Sequence, residues 1–152
     1  MKKNLYVLLL ILVTLSLRAQ SGDERVVMEQ KVYKRVQGVA LTVDMFYTDR
    51  DPGEEVYPAI AFFHGGGWAS GDPSEFHEAC LRYARQGLIT FSFQYRLSVN
   101  TDGSIPHPGI TPVECVKDAR SAMRWIREHA EELHVDPELS LIHISEPTRL
   151  RR

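Results

Sequence analysis

At 152 residues, with 43% apolar and 25% charged side chains, the chain has the composition of an ordinary globular protein. Its formal charge of −2 gives no electrostatic reason to expect nucleic acid or an anionic membrane as partner. The length suits one small domain and falls short of the ~200–250 residues that a large α/β enzyme often needs.

The first nineteen residues stand apart from the fold. Lys2 and Lys3 form a basic start, Leu5 to Leu17 are almost purely aliphatic, and small Ala19 precedes polar Gln20-Ser21-Gly22-Asp23. This is the three-part pattern of a secretory signal peptide cleaved after Ala19. The apolar run is about thirteen residues, against the ~20 needed to span a bilayer. The expectation is a secreted or periplasmic protein with no stable membrane anchor.

Val26 to Gln37 and Val39 to Tyr47 are rich in β-branched and aromatic residues, with Gly38 between them. Leu41, Val43, Met45 and Tyr47 alternate with Thr42, Asp44 and Phe46, so an antiparallel hairpin is expected. Thr48 to Tyr57 is charged and turn-rich, a surface loop. Pro58 then opens Ala59-Ile60-Ala61-Phe62-Phe63, a short apolar run of the kind a strand buried on both faces requires.

Directly after that strand comes His64-Gly65-Gly66-Gly67-Trp68, then Gly71-Asp72. Three successive glycines are costly in chain entropy, so the backbone there is expected to approach something closely. A loop without side chains can aim consecutive N–H groups at one point, and two such donors stabilise an oxyanion that exists only in a transition state. The alternative is a glycine-rich turn with no chemistry. Apolar strand, HGGGW and capped helix together form a narrower pattern than glycines alone.

Asp72, Pro73 and Glu75 make a capping box with proline at the first helical position. Phe76, Ala79, Cys80 and Tyr83 form one stripe, and Gly87 marks the stop. Leu88 to Phe93 reads as a second buried strand, followed by Gln94-Tyr95-Arg96-Leu97-Ser98. After a Gly- and Pro-containing loop, Thr111-Pro112-Val113-Glu114 repeats the capping box. Val116, Ala119, Met123, Ile126, Ala130 and Leu133 step by three and four, an apolar face on a helix expected to end near His134. Strands alternating with helices imply parallel pairing with right-handed crossovers.

HGGGW after the third strand, YRLS after the fourth and PVECVKDARSAMRWIREHA in the next helix resemble the acetyl-esterase/lipase group of α/β-hydrolases, related to hormone-sensitive lipase. The resemblance covers roughly Tyr33 to Pro137. It implies the N-terminal part of an α/β-hydrolase fold, residues 26–138: a mostly parallel sheet with an antiparallel N-terminal hairpin, helices on both faces and strand order 1-2-4-3-5. It also implies that Gly66 and Gly67 donate the oxyanion-hole N–H groups. His64, Gly65 and Trp68 then shape the loop, His64 not being the triad base, and Asp118 is a structural helix aspartate. YRLS and KDARSAMRW strengthen the likeness without chemistry of their own. No cofactor or metal is implied; the partner is a small-molecule or polysaccharide-linked ester, not nucleic acid.

The sequence departs from the family after Asp136-Pro137. The family continues into the nucleophile elbow G-x-S-x-G, whose glycines permit a strained turn. Here His143 and Pro147 flank Ser145 at the two glycine positions, so Ser145 is not expected to act as nucleophile. Residues 139–152 resemble a translated sequencing adapter, a non-native tail, in which Ser140 to Ile144 are apolar enough to lie beside Ala59 to Phe63 in place of the family's fifth strand. The expectation is an ester hydrolase fragment carrying the oxyanion loop without nucleophile or triad Asp and His. A non-catalytic binding protein on this scaffold and an α/β-hydrolase peptidase are the alternatives.

His129 and His134, five apart, point about 140° from each other on a helix and cannot share a metal; a solvated pair is expected. Cys80 and Cys115 admit a disulfide by number and compartment. Each lies in a helix stripe, and in the arrangement that the resemblance implies the sheet separates them, so both should be unpaired.

Overall fold

The computed structural model describes residues 25–49, 53, 55–98 and 110–144. The expected signal peptide and Ser145 lie outside these residues. In chain order the described elements are β1 (Val26–Val36), β2 (Val39–Thr48), β3 (Tyr57–Phe63), a 3₁₀ turn (Pro73–Phe76) leading into α1 (His77–Ala84), β4 (Ile89–Phe93), α2 (Pro112–Glu128) and β5 (Val135–Ile144).

β1 and β2 form the expected hairpin, paired antiparallel from Val26↔Thr48 to Val36↔Val39. Gln37 and Gly38 both have positive φ, 50° and 80°, as the tightest hairpin turns require. β2 then pairs antiparallel with β4, and β4 and β5 flank β3 in parallel, giving the order β1-β2-β4-β3-β5. The expected strand order is thus the observed one. β5 takes the register Ala59↔Ser140 to Phe63↔Ile144, as expected of this segment. Its register slips after Tyr57↔Val135, where Pro137 has no N–H to give a ladder.

Both faces of β3 are buried. On one, Ala59, Ala61 and Phe63 join Leu41, Val43, Met45, Phe91 and Phe93 against Cys115, Ala122, Met123 and Ile126 of α2. On the other, Ile60, Phe62 and Phe46 pack against Cys80 and Ala84 of α1. Each large apolar side chain fully buried this way contributes about 1.5–3 kcal/mol. The period-two alternation of β2 is therefore real: Leu41, Val43 and Met45 face α2, and Phe46 faces α1. The sheet also separates the two buried thiols, which are unpaired.

The helices differ from the sequence expectation in three ways. Asp72 caps as expected, with Ser74 N–H on its carboxylate and Glu75 returning to the Asp72 N–H, but the turn it starts is 3₁₀ before the chain relaxes into α1. The buried stripe of α2 runs Cys115, Asp118, Ala122, Met123 and Ile126, and Val116 is exposed. The stripe is rotated because a charged residue, Asp118, occupies a core position that an apolar count passes over. α2 also ends at Glu128 rather than near His134: His129 caps it and a turn leads to His134, whose φ of 52° redirects the chain into β5. Leu133 is still buried, but from the turn. His129 is accordingly no solvated residue; it is half-buried with its ring 5.0 Å from Trp125.

Candidate active site

The glycine loop leaves the C-terminal end of β3, next to the ends of β4 and β5. His64 is buried, and Tyr95, just past β4, fixes it twice. The Tyr95 hydroxyl donates to the His64 carbonyl at 2.6 Å, and the two rings stack at 4.3 Å and 13°. The His64 Nδ1 lies 3.0 Å from the Gly65 carbonyl. His64 is thus a strut in the loop, with both its carbonyl and its ring engaged.

Gly66, Gly67 and Trp68 follow with φ of 113°, 62° and 66°, three successive residues in the left-handed region. A methyl group on Gly66 would land on the Ser70 carbonyl, and one on Gly71 would land on the His64 ring and the Gly65 carbonyl. Only glycine lets the loop close on itself at these two points. Trp68 adopts its conformation at a cost of about 1–2 kcal/mol for an L-residue. It is held there by Ser98, which donates its N–H (2.8 Å) and its hydroxyl (3.4 Å) to the Trp68 carbonyl. The Trp68 ring meets Tyr95 edge-on at 6.3 Å.

Within the loop, Ala69 N–H and the Ser70 hydroxyl return to the Gly66 carbonyl at 3.1 and 3.4 Å. The N–H groups of Gly66 and Gly67, like those of Gly65 and Trp68, find no acceptor among the described residues. Successive backbone N–H groups without internal partners are the kind of arrangement that can hold negative charge.

The YRLS segment is anchored to the body of the domain through Asp118. This carboxylate is fully buried and accepts from Arg96 Nε (2.7 Å) and Nη2 (3.0 Å), and from Lys34 Nζ (2.6 Å). Burial on its own would raise the Asp118 carboxyl, but hydrogen bonds from Arg96 and Lys34 outweigh it and hold the group below the usual carboxylate range. Asp118 therefore ties α2, β1 and the Tyr95–Ser98 segment together, and its role here is structural. A cavity of about 280 Å³ lies at the other end of the sheet, lined by Tyr47, Tyr57, Leu88 and His134 among others, away from the loop.

The BD-FAE family model matches residues 43–144, the span that contains the loop, YRLS and α2. The chain belongs to the BD-FAE family, among the esterases and lipases of the α/β-hydrolase fold. This BD-FAE chain is similar to the esterase LipI of Mycobacterium tuberculosis, 26% identical over 117 residues that make up 70% of this chain and 34% of the relative. It is 34% identical over 84 residues to the carboxylic ester hydrolase LipN of the same organism, covering 55% and 20% of the two chains. Among solved structures, the apo form of Thermogutta terrifontis esterase 2 superposes with a TM-score of 0.69 at 37% identity, over 78% of this chain and 41% of that one. The chain thus spans about a third of LipI and about two fifths of the Thermogutta enzyme.

In this BD-FAE chain all five residues of the expected motif sit in one loop. The positions that sequence reasoning left without a role are those that hold it: Tyr95 under His64, Ser98 on Trp68, Gly71 against the His64 ring, and Arg96 on Asp118. Only their place in the YRLS and GD segments marked them, because hydrogen bonds between loops leave no periodicity.

Proposed function

We propose that this chain is the N-terminal part of a secreted or periplasmic serine hydrolase that cleaves carboxylic esters of the acetyl-esterase/lipase type. Gly66 and Gly67 form its oxyanion hole. The nucleophilic serine and the triad Asp and His belong to sequence outside these 152 residues. The serine oxygen attacks the acyl carbon while the histidine takes its proton, and the carbonyl oxygen becomes an oxyanion held by the Gly66 and Gly67 N–H groups. Collapse expels the alcohol, which takes the proton back from the histidine, and water then releases the acid by the same route.

The observation that carries this reading is the pair of N–H groups at Gly66 and Gly67 that have no acceptor among the described residues, beside the end of β5 from which the family's nucleophile elbow departs. The solved relatives agree in kind. Thermogutta esterase 2 is described as phosphorylated by paraoxon, and also as propionate-bound and butyrate-bound. A small-molecule or polysaccharide-linked ester with a short acyl group is accordingly the substrate class. Export rests on the Lys2–Ala19 pattern alone, and an N-terminus at Gln20 in the mature protein would test it.

The test compares this chain with the full-length protein on p-nitrophenyl butyrate. Turnover by the full-length protein alone is expected. Turnover by the 152-residue chain that Ser145→Ala abolishes would overturn the placement of the nucleophile.

A further inference from the structure

Among the described residues β1 is the edge strand of the sheet, at the far side from β5. Its hydrogen-bonding phase is fixed at both ends. Asp49 donates its N–H to the Arg25 carbonyl at 2.8 Å, so the odd-numbered residues Arg25, Val27, Glu29 and Lys31 exchange bonds with β2. Thr42, opposite Val32, instead turns its carbonyl to Gln94 on the β4 side at 3.0 Å. The N–H and C=O groups of Val26, Met28, Gln30 and Val32 therefore point away from the sheet, a ladder ready to accept another strand. Beyond Val32 a bulge ends it.

Two side chains on this ladder are unusually apolar for their exposure. Met28 is 50% and Val32 43% exposed, both on the α1 face with Gln30 between them. On the α2 face the same stretch carries Glu29 and Lys31, which form an ion pair at 3.3 Å.

We propose that β1 pairs antiparallel with β1 of a second copy of this chain about a two-fold axis at Gln30. In that register Gln30 faces Gln30, and Met28 of each copy faces Val32 of the other, all through outward-pointing groups. On the opposite face Glu29 of each copy meets Lys31 of the other. The four nearest symmetric registers lack this match. Centring on Glu29 or Lys31 sets like charges opposite each other, centring on Met28 puts Lys31 against Arg25, and centring on Val32 runs into the bulge. Centred on Gln30 the strand is complementary to itself in hydrogen bonding, apolar contact and charge, which favours a second copy over an unrelated extended peptide. The dimer stands apart from the ester-hydrolase reading and does not depend on it.

Sedimentation velocity of the purified chain across a concentration series tests this. The wild type is expected to pass from monomer to twice that mass. Glu29→Lys and Lys31→Glu should each remain monomeric, and an equimolar mixture of the two should recover the dimer, because each lysine then faces a glutamate. Gln30→Pro should also remain monomeric with unchanged circular dichroism, since the N–H it removes points away from β2. A wild type that stays monomeric at every concentration would overturn the proposal. So would association that persists in both charge variants, or a mixture that stays monomeric.

Discussion

The Tyr95 hydroxyl and the His64 carbonyl meet at 2.6 Å while their rings stack at 4.3 Å, so one side chain from the end of β4 sets both the path and the tilt of the glycine loop. Tyr95→Phe keeps the stack and removes the donor, leaving a buried carbonyl without its partner. A loss of about 1–3 kcal/mol is expected, read from urea midpoints. An unchanged midpoint would mean that the loop does not depend on this bond.

Asp118 holds the other end of the same segment. Asp118→Asn leaves Arg96 and Lys34 without their shared anion, and removing one partner of a buried pair costs about 3–5 kcal/mol. The pH dependence has a fixed sign. The folded-state carboxyl titrates below its unfolded value, so its stabilisation is complete above an ordinary aspartate pKa of about 4 and is lost as pH falls through the folded value. Urea midpoints should therefore decline as pH falls below about 4 in the wild type and less so in Asp118→Asn. Parallel declines in both proteins would assign the acid sensitivity elsewhere.

The cysteines offer a direct check on the two faces of the sheet. Cys80 and Cys115 are buried on opposite sides, and burial pushes the Cys80 thiol up to about 11. A thiol reagent at neutral pH should react slowly with the folded chain and with two groups per chain after denaturation without reductant. No reactive thiol after denaturation would reveal a disulfide and a different placement of α1 and α2.

The fold was legible where one physical rule decided. Alternation in Leu41–Phe46, continuous apolar character in Ala59–Phe63 and the capping boxes at Asp72 and Thr111 each translate into structure as written. Strand order came from family resemblance, because no local pattern encodes which strands become neighbours. The face of α2 was misread at Val116 because its buried stripe is partly ionic: Asp118 is accommodated only through Arg96 and Lys34, which lie 22 and 84 residues away in sequence. The same limit hid Tyr95 and Ser98. Their partners are main-chain carbonyls about thirty residues away, and such contacts exist only once the chain is folded.

If the loop at His64–Trp68 stabilises an oxyanion, kcat of the full-length protein must respond to Gly66→Ala. The added methyl meets the Ser70 carbonyl, so the loop must shift and the Gly66 and Gly67 N–H groups move off the oxyanion position. A fall in kcat of about 10²–10³ is expected, with KM changed far less, as for loss of one oxyanion donor. A folded Gly66→Ala enzyme with wild-type kcat would mean that the loop does not hold the oxyanion.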